Sequence, residues 1–289
     1  MVKIALGTAQ FGSMYGIANR TGQINLEQGR NILARAKQRG INTLDTAISY
    51  GDSETTLGAI GCSSWNVISK LPSIPAGIAD ISAWVKSEVG LSLERLKIPI
   101  LYGLLLHRPS DLLGSHGEAL AESLLDLKVS GMVSKLGVSI YSPEELEPLT
   151  GFPVLDIVQA PMNIVDRGLA SSGWLSKLHQ RPVEIHTRSA FLQGLLVMSP
   201  AERPAWLPKW SEIFGIWDAW ISETGMSRIE ACLAHVRSYE QIDQAIIGVD
   251  SVSQLDEILE ALNVPPLRAP TSLESDDQQL INPSLWATV

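Results

Sequence analysis

Eight short apolar runs are spread along the chain, each followed by at least one stretch patterned as a helix. That alternation restricts the fold more than any other feature. The runs are KIALGT, INTLD, WNVISK, ILYGLLLH, VSKLGVS, VLDIVQA, PVEIHTR and QAIIGV. A long Gly-rich loop is expected after the first. INLEQGRNILARAKQRG then places Ile32, Leu33 and Ala36 on one helical face and stops at Gly40. DSETTLGAIG reads as a short helix and ADISAWVKSEVGLSLERLKI as an amphipathic one. Further helices are predicted near 116–130, from Pro143, near 168–180, across about 209–237, and from Ser251 to Leu262. Strand–helix alternation of this kind requires right-handed crossovers and a parallel sheet. Eight units in 289 residues match a (β/α)8 TIM barrel better than a doubly wound sheet with a second domain. With no Gly/Ser/Pro-rich linker to divide it, the chain is expected to form one α/β domain over 1–289. The barrel core covers about 3–262, with an extra C-terminal helical region and a tail over 263–289.

Two segments fall outside the eightfold count. ERPAWLPKWSEIFGIWDAWISETG holds four tryptophans, and Trp210, Phe214, Trp217 and Ile221 recur at helical spacing, as a buried stripe does. TSLESDDQQLINPSLWATV is polar and then apolar, a tail expected to wrap the barrel surface or its mouth.

Composition narrows the partners. Charged residues make up only 18% of the chain, which suits a large buried core. The net charge of -9 argues against nucleic acid or an anionic membrane, since both call for a basic patch. The N-terminal apolar run is too short for a signal peptide, and no segment approaches a membrane span. Cys62 and Cys232 lie far apart and form no metal-spaced pair. A cytoplasmic globular protein acting on a small molecule is expected, with its oligomeric state open.

In a barrel of this kind chemistry gathers at the C-terminal ends of the strands. Those ends carry Asp45, Lys70 and His107 on three consecutive strands. Alternation puts Asp45 on the face of Thr43 and Ile41, Lys70 with Ile68, and His107 with Leu105 and Gly103. Tyr50 follows in the loop after the second strand. Each residue alone has an ordinary explanation, as a turn, an edge or a packing residue. Together they are hard to read as packing, because burying three ionisable groups costs several kcal/mol unless they serve one another. A phenol ordinarily ionises near pH 10; an adjacent ammonium favours the phenolate, and a carboxylate keeps that ammonium charged. With an imidazole to orient a carbonyl, such a set polarises a C=O and delivers a proton to its oxygen. No nucleophile pair and no metal-ligand cluster accompanies it, so a hydride-carrying cofactor fits as the source of electrons.

These residues stand within LGTAQFG, GINTLDTAISYGDSETTLG, NVISK, YGLLLH, LGVS, DIVQAPMNIVD, FLQGLL and IIGVDSVSQLDEIL. In that order and spacing, the chain resembles the aldo-keto reductase family from about residue 3 to 262. The resemblance implies a (β/α)8 barrel that binds NADPH or NADH without a Rossmann glycine motif. It implies Tyr50 as general acid, Lys70 and Asp45 as the pair that tunes it, and His107 as the group orienting the carbonyl. Gly7, Thr8 and Asp45 would belong to the cofactor site, and Ser139 and Gln159 would hold the nicotinamide carboxamide. Arg188 stands where many members stack an aromatic ring on the nicotinamide. Ser189, Leu192, Gln193 and Gly194 match the loop over the pyrophosphate; Gly248, Ser251, Gln254 and Glu257 match the adenosine end.

Two departures bear on selectivity. Ile140 replaces a polar residue beside the carboxamide. No Lys or Arg occurs between Arg237 and Arg268, where NADPH-selective members place basic residues, and Asp250 stands there instead. An acidic residue accepts a bond from a free ribose hydroxyl and repels a phosphate, so selectivity for NADPH is expected to weaken towards NADH unless Arg203 or Lys209 supplies the contact. The resemblance also admits a nicotinamide-binding regulatory protein with little turnover, as among the potassium-channel β-subunits. A metal- or Schiff-base-dependent lyase would need ligands or an unpaired lysine that the sequence does not display. Substrate choice falls to residues 9–24, 108–117, 196–210 and the tail; GSMYGIANRTGQ is polar enough for a sugar or another hydroxylated carbonyl compound.

Overall fold

A computed structural model of the chain describes residues 2–152 and 155–288. Its eight strands are β1 Lys3–Gly7, β2 Thr43–Asp45, β3 Asn66–Leu71, β4 Leu101–Leu106, β5 Val133–Ser139, β6 Ile157–Pro161, β7 Glu184–Arg188 and β8 Gln244–Gly248. They close into one barrel in sequence order, every neighbour parallel, with β8 pairing back onto β1. The expected strands all occur, with ends moved by a few residues at most; Val154, at the start of the expected sixth run, lies outside the described residues.

The helical expectations need three corrections. The segment from Pro143 is a 3-10 helix, Pro143–Leu149, because Pro148 offers no amide to an α-helical ladder. The long helical region expected across about 209–237 is divided. It comprises a 3-10 turn Leu207–Trp210 and the helices Ser211–Thr224 and Arg228–Arg237, separated where Gly225 takes φ +68° and Ser227 caps the next helix. The loop after β1 opens with a short helix, Ala9–Gly12.

The main core lies between the outward faces of the strands and the surrounding helices. Leu6, Leu44, Val67, Leu104, Leu136 and Val158 alternate along their strands to fill it. The barrel interior has a smaller apolar layer of Ile68, Leu105 and Ile157. Gly103 makes room for it, since a Cβ there would stand 2.8 Å from Ile157 Cδ1. Below that layer, at the N-terminal ends of the strands, Lys135 and the Tyr102 hydroxyl both donate to Glu184, closing the barrel floor with a paired charge.

A second core sits beside the mouth. The helix Ser211–Thr224 buries Phe214, Trp217 and Trp220, and Trp210 lies just before it. The tail covers these rings with Leu273, Leu280, Ile281 and Trp286, and Leu192, Leu195 and Leu196 from the loop after β7 complete the cluster. Each such side chain contributes roughly 1.5–3 kcal/mol on burial. Arg167 ties down the start of the tail by donating to the carbonyls of Ala269 and Pro270 at 3.1 and 2.7 Å. The tail therefore braces the loop after β7.

Candidate active site

β2 is only three residues long because a hydroxyl network turns the chain at its end. The Thr8 hydroxyl donates to the Asp45 carbonyl at 2.9 Å, the Ser53 hydroxyl donates to the Thr8 carbonyl at 2.9 Å, and the Thr46 and Ser53 hydroxyls lie 3.0 Å apart. The loop then curls back on itself, with the Tyr50 amide bonded to the Ala47 carbonyl. Glycines fix where Tyr50 stands. A Cβ on Gly12 would fall 1.6 Å from the Tyr50 carbonyl oxygen; one on Gly51, at φ +51°, would fall 2.4 Å from the Gly12 oxygen. Only bare backbone permits so close an approach. The Tyr-Gly pair of the sequence is thus explained from the opposite loop.

Beneath the loop, Lys70 is fully buried and reaches Asp45 Oδ1 at 2.6 Å and the Thr46 carbonyl at 2.8 Å. Burial works to lower its pKa, but the charges of Asp45 and Tyr50 and the bond to Asp45 outweigh it, so the ammonium is held above its ordinary value. Gln159 reaches across the barrel to donate to the other carboxylate oxygen at 2.7 Å, and the Ser139 hydroxyl lies 3.4 Å from Gln159 Oε1. Asp45 therefore spends both oxygens on fixed donors. The Lys70 ammonium is 5.1 Å from the centroid of the Tyr50 ring.

His107 packs edge-on to Tyr50, ring centroids 5.8 Å apart. Burial, then Lys70 and Arg188, push its pKa down to about 4 against the pull of Asp45, so at neutral pH the imidazole is uncharged. Its Nδ1 lies 3.2 Å from the Ser49 hydroxyl. Ser49 was not evident from the sequence, where nothing distinguishes it from any loop serine.

Tyr50 and Asp45 stand at the wall of a cleft of about 580 Å³. Of the residues expected at the cofactor site, Gly7, Thr8, Asp45, Arg188, Ser189, Gln193, Gly194, Gly248, Gln254 and Glu257 line it. Ser139, Gln159 and Leu192 are buried instead, and the Ser251 hydroxyl accepts the Gln254 amide as a helix cap. The loop after β7 is wound left-handed at Ser189, Leu192, Gln193 and Gly194, with φ between 48° and 95°. At Gly194 a Cβ would lie 2.3 Å from that of Ala18, so this loop meets the loop after β1. Farther along, Asn19 donates to Asp250 Oδ1 at 3.3 Å. Sequence reasoning placed Tyr15 and Asn19 only within the loop 9–24 and missed Arg228; all three line the cleft. Arg203 is occupied, held in two bonds by Asp218 at 2.7 and 2.5 Å, and Arg228 shares the same carboxylate at 2.7 Å.

Among the described residues no group of three or more His, Cys, Asp or Glu side chains is placed to hold a metal ion, and no helix is long and apolar enough to cross a membrane.

Comparison with known proteins agrees with this architecture. The oxidoreductase sirO of Leptosphaeria maculans is 24% identical over 298 residues, spanning 91% of this chain and 89% of that protein. The holo form of an aldo-keto reductase from Bacillus halodurans superposes with a TM-score of 0.72 at 19% identity, over 96% of this chain and 90% of that one. The glycerol dehydrogenase of Gluconobacter oxydans superposes with a TM-score of 0.70 at 22% identity, over 91% and 86%. These two share the fold. The model of the aldo/keto reductase family matches residues 3–271, from the first strand to beyond the last helix of the barrel. An eightfold parallel barrel with a polar, cleft-facing C-terminal end, matched over nearly its whole length, places this chain in the aldo/keto reductase family.

Proposed function

We propose that the protein transfers hydride reversibly between a nicotinamide dinucleotide lying in the cleft and an aldehyde or ketone presented at Tyr50. One observation carries this reading. A fully buried lysine is paired with Asp45 at 2.6 Å and stands 5.1 Å from the ring of a cleft-lining tyrosine. A buried ion pair is a poor way to gain stability, but it is a good way to hold positive charge beside a phenol that must part with its proton.

The residues fit such a cofactor. The cleft is within the usual volume of a small-molecule site. Its β7 loop turns left-handed and presents close backbone at Gly194. At the far end Asp250, Gln254 and Glu257 offer acceptors suited to ribose and base. The bound dinucleotide would supply the hydride. Tyr50 gives its hydroxyl proton to the carbonyl oxygen as charge builds there, so that hydride on carbon and proton on oxygen complete an alcohol. Lys70 stabilises the phenolate left behind, and Asp45 with Gln159 keeps the ammonium charged and in place. Neutral His107 orients the carbonyl with a ring N–H, its own ring steadied by Ser49. In the oxidising direction the same groups act in reverse.

At the adenosine end Asp250 and Glu257 favour NADH, while Arg228, a cation that also lines the cleft, is taken up by Asp218. Asp250 and Glu257 face the cleft there, and Arg203 is already bound to Asp218. A Tyr50→Phe variant keeps dinucleotide binding and loses nearly all turnover of simple aldehydes; retention of most activity would remove Tyr50 as the proton donor.

A further inference from the structure

Arg188 ends β7 at the mouth of the barrel, and the protein holds its guanidinium without neutralising it. Nη2 donates to the Ile140 carbonyl at 2.9 Å, Nη1 lies 3.3 Å from the Ser189 hydroxyl, and the guanidinium carbon lies 4.6 Å from the centroid of the Tyr141 ring. No carboxylate among the described residues comes within 4.0 Å of it. Asp166 does feel its field, but that carboxyl is buried, faces the Gly168 amide at 3.3 Å and is pushed up to about 6 mainly by burial. A guanidinium offers five N–H donors in a planar fork, so donors remain for whatever enters the cleft that Arg188 lines.

The surroundings say which kind of molecule that is. Tyr15, Tyr50 and Arg188 line the same cleft, and the Tyr141 ring lies against the Arg188 guanidinium. Lys70, the other cation of the site, is buried and answered by Asp45. The opening thus keeps an unanswered positive charge on a chain whose net charge is -9. Two tyrosines bear on it: Tyr15, 44% exposed, lines the cleft, and Tyr141, 43% exposed, stands against the Arg188 guanidinium. An uncharged polyol would leave both the fork and these rings to water.

We propose that Arg188 is a substrate-binding residue that selects aldehydes or ketones carrying a carboxylate, the carboxylate meeting the guanidinium and an apolar or aromatic body lying against Tyr15 and Tyr141. The planar fork matches a carboxylate in two parallel hydrogen bonds, a fit that an ammonium cannot reproduce. This rests on the reading of Tyr50 as proton donor for the position of the carbonyl.

The test uses a matched pair, 4-carboxybenzaldehyde and its methyl ester, which differ in the charge and one methyl group. Each is titrated calorimetrically into the protein, with and without saturating oxidised dinucleotide, so that affinity is read independently of turnover. Hydrogen bonds to a charged group lead us to expect the acid to bind roughly tenfold or more tighter than the ester, with the advantage shrinking as salt is raised. In Arg188→Gln that preference collapses to within about twofold, and in Arg188→Lys part of it survives; thermal melting shows that both variants fold. Equal affinity for acid and ester in the natural protein overturns the proposal. So does a preference that Arg188→Gln leaves intact. Equal loss of both ligands together with a changed dinucleotide affinity would assign Arg188 to the cofactor alone. Turnover of the two aldehydes with reduced dinucleotide is scored separately, and its absence counts against the reductase reading rather than against the carboxylate preference.

Discussion

Replacing Asp45 with asparagine tests whether the buried charges at the barrel mouth act as one unit. Asp45 accepts from Lys70 at 2.6 Å and from Gln159 at 2.7 Å on opposite oxygens. An asparagine has one acceptor oxygen, so its amide must point at one of those donors. If it faces Gln159, the glutamine can flip, but its own amide then turns towards the Ser139 hydroxyl. If it faces Lys70, two donors oppose each other. In either case a fully buried ammonium loses its counter-charge, and breaking such a pair costs about 3–5 kcal/mol. For 289 residues the unfolding entropy is roughly 0.6 kcal/mol per kelvin. The Tm of Asp45→Asn should then fall by about 5–8 °C on that scaling. Lys70→Met should cost a comparable amount by stranding the carboxylate. The double variant should be less destabilised than the sum of the two by at least about 2 kcal/mol, because neither stranded charge remains. Urea denaturation of the four proteins without cofactor completes the cycle. Additivity within about 0.5 kcal/mol would refute the coupling and, with it, the claim that Asp45 keeps Lys70 charged.

Three further outcomes follow from the same geometry. Gly12→Ala must push the Tyr50 backbone away, since the new Cβ would fall 1.6 Å from its carbonyl oxygen; a shift of that order should lower kcat/KM on the order of a hundredfold while the melting curve stays cooperative, and near-normal turnover would show that Tyr50 position is not critical. His107 has its pKa depressed to about 4 by burial and Lys70, so the stability it contributes is complete above about pH 6.5 and is lost as pH falls towards 4; His107→Gln should flatten that slope by on the order of 2–3 kcal/mol, and the rate profile of the natural protein should show no imidazole inflection near 6.5. Asp250→Arg should raise the affinity for NADPH relative to NADH, measured as the ratio of the two dissociation constants, and an unchanged ratio would remove Asp250 from cofactor selection.

Much of the fold was legible because strand–helix alternation is a local pattern and because eight repeats admit few topologies. Asp45, Lys70 and His107 were legible for a related reason: period-two alternation along β2, β3 and β4 fixes which residue reaches the mouth. What escaped was set by contacts distant in sequence. Arg228 looks like an ordinary helix-start residue until the fold brings it to the cleft and to Asp218. Asn19 gains meaning only from Asp250, 231 residues away. Gln159 was expected to hold a carboxamide, and only the fold shows that its amide also reaches across the barrel to Asp45. The break at Gly225 was visible only as a glycine following the tryptophan-rich helical pattern.

The most direct test of the account is an equilibrium titration of the purified protein with NADH and with NADPH, followed through its tryptophan fluorescence. The account predicts saturable binding in the micromolar range, tighter for NADH. If neither dinucleotide binds at millimolar concentration, the cleft does not hold a nicotinamide cofactor and the hydride-transfer reading is contradicted at its base.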